Sequence, residues 1–450
     1  MRWSDRAVRA ALGLAGPAVD TVYSGVSTDT RGMAAGALFV ALQGERFDAH
    51  DFLAAATAAG ATGAVVRRGT APVPGLLLYP VEDTLRALGD LAHVRRKSVT
   101  GPVIAITGTN GKTSTKEMVA HALRTRYRTW ATRINLNNQV GVPLTILEAP
   151  ADTEALVIEA GASLPGEMAR HRAVIEPSIA VITNVTAGHL EGFGGGDGVL
   201  NEKLSLLDGV PLALVGTDPP GLAELARPRA RRVITAGLRD ADRVPARVEV
   251  TADGRPRITI GGQRFLLDAR GRHQAGNAML AWAVAEALGL DLDAVARSLE
   301  SLSLPGGRGE LTQHGGLSVL HDAYNANPAS FRAAIELARS LRATRRLVFV
   351  AGTMRELGES SGAHHAEIAS LLVALRPDVL GAVGEFVPAL EPYRQALGNR
   401  LITAPDAALL GPKLAARIEG DELVVLKGSR GVALERILPD LVARSSSSTS

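Results

Sequence analysis

The feature that most constrains this chain is an apolar strand pattern that leads directly into a glycine-rich turn and then into a helical pattern. The strand Val103–Ile106 is followed by Thr107-Gly108-Thr109-Asn110-Gly111-Lys112-Thr113, after which the helical pattern of Ser114–Leu123 begins. The longer G-x-x-x-x-G-K-[ST] pattern would need glycine at Ile106, so the match is to the shorter G-x-x-G-K-T form.

Such a turn is suited to phosphate. Backbone N–H groups and a helix N-terminus can hold phosphate oxygens, a lysine can neutralise a transferring phosphoryl group, and a threonine hydroxyl can hold Mg²⁺. The sequence therefore predicts a nucleotide-phosphate site made of Gly108, Thr109, Asn110, Gly111, Lys112, Thr113 and Ser114.

Apolar strands alternate with helical patterns along most of the chain. Such alternation indicates mostly parallel sheets, in which ligands bind at the carboxyl ends of the strands. A chain of 450 residues suits several domains. We expect an α/β protein with a small N-terminal domain (1–82), a central P-loop domain (83–312), a C-terminal Rossmann-like domain (313–444) and a disordered polar tail (445–450).

Composition excludes several classes of function. The 49 basic and 46 acidic residues give a net charge of only +3, and aromatic residues make up 4%, so we expect no nucleic-acid partner. The absence of cysteine excludes disulfides, thiolate metal sites and a cysteine nucleophile. The charged N-terminus is unlike a signal peptide and no apolar run has membrane-spanning length. We therefore expect a cytoplasmic protein without a membrane partner.

Four motifs in a fixed order resemble the Mur ligase family. They are the glycine-rich turn, Asn135-Leu136-Asn137-Asn138 with Gly141-Val142-Pro143, Ile158-Glu159-Ala160-Gly161, and Asn184 with His189-Leu190-Glu191-Gly192. The resemblance implies an enzyme: an ATP-dependent amide ligase with ATP and Mg²⁺ as cofactors, which activates a carboxylate as an acyl phosphate.

The resemblance also implies a set of catalytic residues. Thr113 and Glu159 would serve one Mg²⁺ ion, and His189 and Lys203 a second, with Lys203 converted to a carbamate. Unmodified, the Lys203 ammonium would repel a metal ion. Taken alone, Glu159 would suit a helix cap and His189 a local hydrogen bond, so their roles depend on their order after the P-loop. Together with Lys112 they form the predicted catalytic set.

Three further residues are expected to contact ATP on the same basis. Asn277 ends the stretch Gly271-Arg272-His273-Gln274-Ala275-Gly276-Asn277, which is similar to the family's G-x-H-N-x-x-N and departs from it at Gln274. Arg308, in the glycine-rich turn between domains, would reach the phosphates, and Asp322 would hold the ribose.

Two kinds of segment point to one branch of the family. Thr28-Asp29-Thr30-Arg31 and the stretch from Leu38 to Phe52 look like the UDP-binding domain of the members that add D-alanyl-D-alanine, as do Tyr324–Pro328 and Lys427–Gly431. The implied partners are UDP-MurNAc-tripeptide and D-Ala-D-Ala. We expect the protein itself to be a monomer. The residues expected to bind them are Thr30, Arg31, Phe47, Asp48, Asn137, Asn138, Asn325, Lys427 and Arg430.

Lys427 and Arg430 are the predicted partners of the far carboxylate of D-Ala-D-Ala, although both could simply be solvated charges. Three alternatives to the overall function stay open: a family member that adds diaminopimelate or lysine, a folylpolyglutamate-synthetase-like ligase, and a P-loop ATPase without ligase activity. The Asp-Asn-Pro-Arg tetrapeptide of diaminopimelate-adding enzymes does not occur in the chain.

Overall fold

The computed structural model describes residues 2–44, 47–186, 193, 195–304 and 306–447, and they form the predicted α/β architecture in three units. The strands are β1 (Trp3–Ser4), β2 (Val22–Tyr23), β3 (Val26–Ser27), β4 (Leu38–Val40), β5 (Gly63–Arg67), β6 (Leu77–Val81), β7 (Val103–Thr107), β8 (Thr129–Ala131), β9 (Ala155–Glu159), β10 (Ile179–Ile182), β11 (Leu212–Val215), β12 (Val233–Thr235), β13 (Arg247–Val250), β14 (Pro256–Ile260), β15 (Gln263–Leu266), β16 (Glu310–His314), β17 (Leu317–Asp322), β18 (Leu347–Ala351), β19 (Val379–Val383), β20 (Leu401–Ala404) and β21 (Leu423–Lys427).

The helices of the described residues are α1 (Asp5–Ala11), α2 (Leu53–Ala58), α3 (Thr84–Lys97), α4 (Lys112–Arg124), α5 (Gly141–Leu147), α6 (Glu167–Ile175), α7 (Gly196–Leu204), α8 (Leu222–Ala226), α9 (His273–Ala287), α10 (Leu292–Glu300), α11 (Pro328–Arg342), α12 (Ser361–Leu375), α13 (Phe386–Leu390), α14 (Arg394–Leu397), α15 (Ala407–Ala415) and α16 (Leu438–Ser447). Within the described residues, none of these helices has both the length and the apolarity that crossing a membrane requires.

The N-terminal unit is a parallel sheet of order β3-β4-β5-β6, with a short antiparallel pair, β1-β2, beside it. Its strands bury both faces, since Leu38 and Val40 point into one apolar cluster and Phe39 into another. Helix α3 packs Leu88 into the first of these clusters and Ala92 into the central core, so it joins the two units.

The central unit is a six-stranded parallel sheet of order β12-β11-β10-β7-β9-β8. Ile104 of β7 faces a core formed with α4 and α9, and Val103 faces the core on the other side. The register aligns Ile106 with Glu159 on one side of β7, and Thr107 with Ile182 on the other. The carboxyl ends of β7, β9 and β10 therefore emerge side by side, next to the glycine-rich turn.

A three-stranded antiparallel sheet, β13-β14-β15, was not predicted from the sequence. It packs against α9, where the rings of Phe265 and Trp282 are stacked with centroids 5.8 Å apart. Gly261 and Gly262, both with positive φ, join β14 to β15, and such a two-glycine turn between alternating strands is a hairpin signal.

The C-terminal unit is a sheet of order β16-β17-β21-β18-β19-β20, in which only β16 is antiparallel to its neighbour. Because β16 pairs with β17 along its whole length, residues 310–312 belong with this sheet and not with the central domain as predicted. The last helix continues to Ser447, so the first three residues of the tail predicted to be disordered are helical.

A buried carboxylate organises the N-terminal unit. Asp5 is fully buried and accepts hydrogen bonds from the Tyr79 hydroxyl at 2.6 Å, from the backbone N–H of Val19 at 2.9 Å and from Arg9 Nε at 3.0 Å. Burial acts to raise the pKa of Asp5, but these donors outweigh it and hold the pKa below its usual value. The charge therefore stays on Asp5 and ties β6 to α1.

Tyr79→Phe should lower the free energy of unfolding of the N-terminal unit by about 1–2 kcal/mol, because it removes one donor from a buried carboxylate. Hydrogen exchange read by mass spectrometry over residues 2–97 should then be faster, since local opening becomes easier. The matched control is Tyr393→Phe, which changes a half-buried tyrosine of the C-terminal unit. Equal protection of residues 2–97 in both variants would contradict this assignment.

Candidate active site

The glycine-rich turn adopts a conformation that only glycine tolerates at two points. Gly108 has φ 147° and a Cβ there would lie 1.9 Å from Thr183 Oγ1, while Gly111 has φ 78° and a Cβ there would lie 2.4 Å from Asn277 Oδ1. Helix α4 begins directly after Gly111, so its first backbone N–H groups, which have no partner within the helix, face the turn. The turn thus has the form of a phosphate loop.

The end of β10 braces this loop from the side. Thr183 Oγ1 and Asn184 Nδ2 donate to the carbonyl oxygen of Asn110 at 2.6 and 3.0 Å, and Asn110 N donates to Asn184 Oδ1 at 3.0 Å. Thr183 and Asn184 were not among the predicted site residues. Their position at the carboxyl end of a strand neighbouring β7 was the signal that could have identified them.

Lys112 curls back over the loop. Its ammonium donates to the carbonyl oxygens of Gly108 at 2.8 Å and Thr109 at 3.1 Å. Burial lowers the pKa of Lys112, the Glu159 carboxylate opposes that effect, and the Arg308 guanidinium adds to it. The ammonium is therefore held where the phosphates of a nucleotide in this loop would lie.

Glu159, at the end of β9, is almost fully buried and both of its carboxylate oxygens are engaged. Thr113 Oγ1 donates to Oε2 at 2.7 Å and Asn137 Nδ2 donates to Oε1 at 2.8 Å. The hydroxyl and carboxylate oxygens of Thr113 and Glu159 are thus adjacent, and hard oxygen ligands of this kind are those Mg²⁺ prefers.

Lys203, in the last turn of α7, is 2% exposed. Burial and the nearby Lys112 ammonium lower its pKa to about 7, against the opposing effect of Glu202. Glu202 is itself occupied by the backbone N–H groups of Gly166 and Met168, at 2.8 and 2.6 Å. The carboxylate that opposes the lowering of the Lys203 pKa is therefore already engaged by backbone N–H groups.

The predicted metal set is only partly described. His189 lies outside the described residues, so its part in the second metal position stays a prediction. Among the residues that are described, no group of three or more histidine, aspartate or glutamate side chains is gathered as a metal site would require. Any metal ion here would therefore depend on Thr113, on phosphate oxygens or on a modified Lys203 for further ligands.

A cavity of about 990 Å³ lies between the central and C-terminal units. Most of the predicted site residues line it: Thr109, Asn110, Gly111, Lys112, Thr113, Ser114, Asn137, Asn138, Glu159, Lys203, Asn277, Arg308, Asp322, Asn325, Lys427 and Arg430. Tyr324, Arg270 and Gln274 also line the cavity and were not predicted. No described residue of the N-terminal unit lines it.

Two facing helices form another wall of the cavity. Gln274, Asn277 and Leu280 of α9 lie on one side, and Ala333 and Leu337 of α11 on the other. Gln274 Oε1 accepts from Asn277 Nδ2 at 2.9 Å, and both side chains are buried. The longer amide at position 274 therefore fixes the orientation of Asn277. The slot between the two helices has polar side chains, Gln274 and Asn277, beside the apolar Leu280, Ala333 and Leu337, a mixture that suits a nucleobase.

Lys427 has a different position from the one expected of a carboxylate-binding residue. Its ammonium is 2.8 Å from Asp322 Oδ2 and donates to the carbonyl oxygen of Asn325 at 2.8 Å. The residue is buried, and these two partners use much of its donor capacity. Lys427 thus holds Asp322 and the Asn325 backbone in place.

Arg430 is exposed, and its guanidinium lies 5.3 Å from the centre of the Tyr324 ring. The Arg308 guanidinium lies 4.1 Å from the same centre. Both distances are within the range of cation–π attraction. Tyr324 therefore gathers two cations at the turn between the units, and Arg430 is the freer of the two predicted carboxylate partners.

The four residues predicted to bind UDP lie in the N-terminal unit, apart from the cavity. Phe47 is 61% exposed. Asp48 is paired with Arg67 at 2.7 Å, and Arg31 with Asp29 at 2.6 Å, while Thr30 lies between the last two. Their role as a UDP site stays a prediction.

An N-terminal α/β unit followed by a P-loop domain and a Rossmann-like domain that share one cavity define a multidomain P-loop enzyme. Three family models match the chain in this order: the Mur ligase family, catalytic domain, over residues 22–96; the Mur ligase middle domain over 106–285; and the Mur ligase, glutamate ligase domain over 307–430. The chain belongs to the Mur ligase family.

The chain is similar to known proteins along nearly its whole length. The UDP-N-acetylmuramoyl-tripeptide–D-alanyl-D-alanine ligase of Bacillus subtilis is 34% identical over 435 residues, which is 94% of each chain. A crystal structure of MurF from Acinetobacter baumannii has a TM-score of 0.89 at 31% identity, covering 98% of this chain and 99% of that one. MurF ligase from Thermotoga maritima in complex with ADP has a TM-score of 0.82 at 27% identity, covering 94% and 98%.

Gly111→Ala should weaken nucleotide binding about tenfold or more, because a non-glycine residue in the left-handed region costs about 1–2 kcal/mol before the contact with Asn277 is counted. Isothermal titration with a non-hydrolysable ATP analogue measures the effect. Gly362→Ala is the matched control, since a Cβ there meets nothing within 4 Å. Unchanged affinity in Gly111→Ala would mean that the loop does not hold the nucleotide in this conformation.

Proposed function

We propose that this chain is an ATP-dependent ligase that joins D-alanyl-D-alanine to the terminal carboxylate of UDP-N-acetylmuramoyl-tripeptide, a step of peptidoglycan precursor synthesis. The observation that carries the proposal is the 34% identity over 94% of both chains to a ligase of that name. The cavity supports it, because a phosphate loop and a second domain face the same space.

The reaction has two steps. A carboxylate oxygen of the acceptor attacks the γ-phosphorus of ATP. The bond from that phosphorus to the bridging oxygen breaks, and the products are ADP and an acyl phosphate. The amine nitrogen of D-Ala-D-Ala then attacks the acyl carbon, phosphate departs with the C–O bond electrons, and the nitrogen loses a proton. Amide formation therefore consumes one ATP and releases ADP and phosphate.

Stabilisation of charge on the transferred group is the main task of the protein in such chemistry. The N-terminus of α4 would hold the phosphate oxygens, and Lys112 would leave its contacts with Gly108 and Thr109 to bind the γ-phosphate. Arg308, held at Tyr324, would approach from the C-terminal side. The cations thus lie on both sides of the transferred phosphoryl group.

Mg²⁺ fits the oxygen pair of Thr113 and Glu159, and it would supply further neutralisation of the phosphate charge. Asn137 keeps the Glu159 carboxylate oriented by donating to its other oxygen. We propose that Thr113 and Glu159 hold one Mg²⁺ ion and that His189 and Lys203 hold a second, as the family resemblance implies.

Lys203 can take this role only after its charge is reversed. Its neutral amine would add to CO₂, the new N–C bond would form, and one proton would leave to give a carbamate with two oxygens. The position of Lys203 in the cavity wall and its burial support this modification. The result would replace an ammonium that repels Mg²⁺ by an oxygen ligand.

Closure of the cavity around the bound substrates would protect the acyl phosphate from water. Helices α9 and α11 would enclose the base, and Asp322, fixed by Lys427, would accept a hydrogen bond from the ribose. Arg430 remains for the carboxylate of the incoming dipeptide. A monomer, a cytoplasmic location and the absence of nucleic-acid and membrane partners stay predictions.

Lys203→Ala should lower kcat about a hundredfold or more, the scale seen when one group that stabilises developing charge is removed. Acetate or formate should restore part of the activity by supplying the missing oxygens. In ¹³CO₂-equilibrated enzyme, a ¹³C carbamate signal should be present in the unmodified chain and absent from Lys203→Ala. Lys97→Ala, which changes an exposed lysine at the end of α3, is the control. A fully active Lys203→Ala enzyme would remove Lys203 from the mechanism.

The proposed function is tested by a donor competition. With ATP and UDP-MurNAc-tripeptide, phosphate release should require D-Ala-D-Ala and be negligible with diaminopimelate, lysine or glutamate. Faster turnover with one of those amino acids, or with UDP-MurNAc-dipeptide as acceptor, would assign the chain to another branch of the family. Phosphate release that is independent of any amine would identify an ATPase.

A further inference from the structure

Two asparagine side chains join the phosphate loop to the C-terminal domain. Asn327 Nδ2 donates to Asn110 Oδ1 at 2.7 Å, and Asn110 Nδ2 donates to Asn327 Oδ1 at 3.3 Å. Asn110 lies in the loop and Asn327 lies 217 residues later, at the start of α11. We call this reciprocal amide pair the interdomain latch.

The central-domain side of the latch is rigid. The backbone of Asn110 is fixed by Thr183 and Asn184 through the three hydrogen bonds described above. Its side chain makes one further contact, from Nδ2 to Thr186 Oγ1 at 3.2 Å. A movement of Asn327 would therefore pull on a loop that Thr183, Asn184 and Thr186 hold within the central domain.

The C-terminal side of the latch has a second duty. Asn327 is the N-cap of α11, and its Oδ1 accepts from Ser330 N at 2.9 Å, while Ser330 Oγ accepts from Asn327 N at 3.0 Å. Serine, aspartate and asparagine cap helices about equally well. Of these three residues only asparagine carries a separate donor nitrogen beside the capping oxygen, and here that nitrogen binds Asn110. Capping alone therefore gives no reason for asparagine over serine or aspartate at this position.

Helix α11 forms part of the cavity wall beyond the latch. Ser330, Ala333 and Leu337 line the cavity, and Leu337 also approaches the central domain at Gly254, where a Cβ would lie 2.8 Å from Leu337 Cδ1. The latch at the first turn and the Gly254 contact near the middle together set the position of α11. The latch therefore fixes the distance between the phosphate loop and the wall proposed to enclose the base.

We propose that Asn327 is a positioning residue, which acts through Asn110 to hold the C-terminal domain against the phosphate loop in the arrangement in which the two domains share the cavity. The ATP part of this inference rests on the proposed function; the domain contact does not. Loss of the latch raises the cost of assembling the two-domain cavity, so it raises the KM for ATP. It leaves the chemical step nearly unchanged once ATP and both substrates have closed the cavity.

The variant Asn327→Ser separates the latch from the cap, because serine caps α11 but is too short to reach Asn110. Asn110→Ala removes the other partner, and the double variant tests whether the two act together. Asp406→Ser is the matched control, since Asp406 caps α15 with an exposed side chain that accepts from Leu409 N at 2.9 Å, away from the cavity. All three single substitutions are neutral or charge-removing, so none adds a negative charge near phosphate.

Domain position can be measured without any reaction. The chain has no cysteine, so dyes can be attached at Ser301→Cys in the central domain and Gln395→Cys in the C-terminal domain, both exposed. At the same subsaturating concentration of a non-hydrolysable ATP analogue, Asn327→Ser should shift the fluorescence transfer toward a population with more separated domains than in the unaltered chain. Asp406→Ser should give the same transfer as the unaltered chain.

Kinetics provide the second readout. Loss of two hydrogen bonds should raise the KM for ATP about tenfold in Asn327→Ser, with kcat changed less than about twofold. Asn110→Ala should raise the KM at least as much, because Asn110 also belongs to the phosphate loop. The double variant should be no worse than Asn110→Ala alone, because that substitution already breaks the latch. Unchanged fluorescence transfer, or additive effects in the double variant, would overturn the proposal. If D-Ala-D-Ala proves not to be the donor, the fluorescence result still stands by itself.

Discussion

Parallel pairing of β7 with β9 and β10 is the constraint on which the site depends. It brings the ends of three strands to one edge of the sheet, where the loop, Glu159 and Thr183 meet. The hydrogen bond from Thr113 to Glu159 can form only because the first turn of α4 lies over that edge. The apolar residues that bury the sheet therefore also determine the positions of the site residues, since any slip in strand register would separate these groups.

The fold and the phosphate loop could be predicted because their signals are local. The strand before Gly108, the glycines and Lys112 are contiguous, and apolar strands alternate with helices on both sides. The antiparallel sheet was missed although its Gly261-Gly262 turn is a local signal too. The C-terminal domain was predicted to begin after the first residues of β16, because the pairing that assigns them to β17 is not visible within a short window.

Roles that depend on a distant partner could not be predicted in the same way. Lys427 follows a strand and carries a charge, so it was expected to bind a substrate carboxylate. The structure places Asp322 at 2.8 Å from its ammonium, because the register of β17 and β21 sets these two residues side by side, and the carboxylate-binding role stays a prediction. Asn327 was visible within a motif, but its contact with Asn110 spans 217 residues. Neither pairing has a sequence signal of its own.

Positive charges are crowded together in the cavity, and this arrangement favours the binding of an anion. Lys112 and Lys203 lie close enough for the charge of one to lower the pKa of the other, and Arg308 adds to the effect at Lys112. Arg308 Nε is also buried without a hydrogen-bond partner. Like charges held together in a partly desolvated space cost free energy, and Glu159 and Glu356 are the acids that oppose them at Lys112. A polyphosphate would relieve this repulsion, and the free energy released would favour the closed arrangement of the two domains.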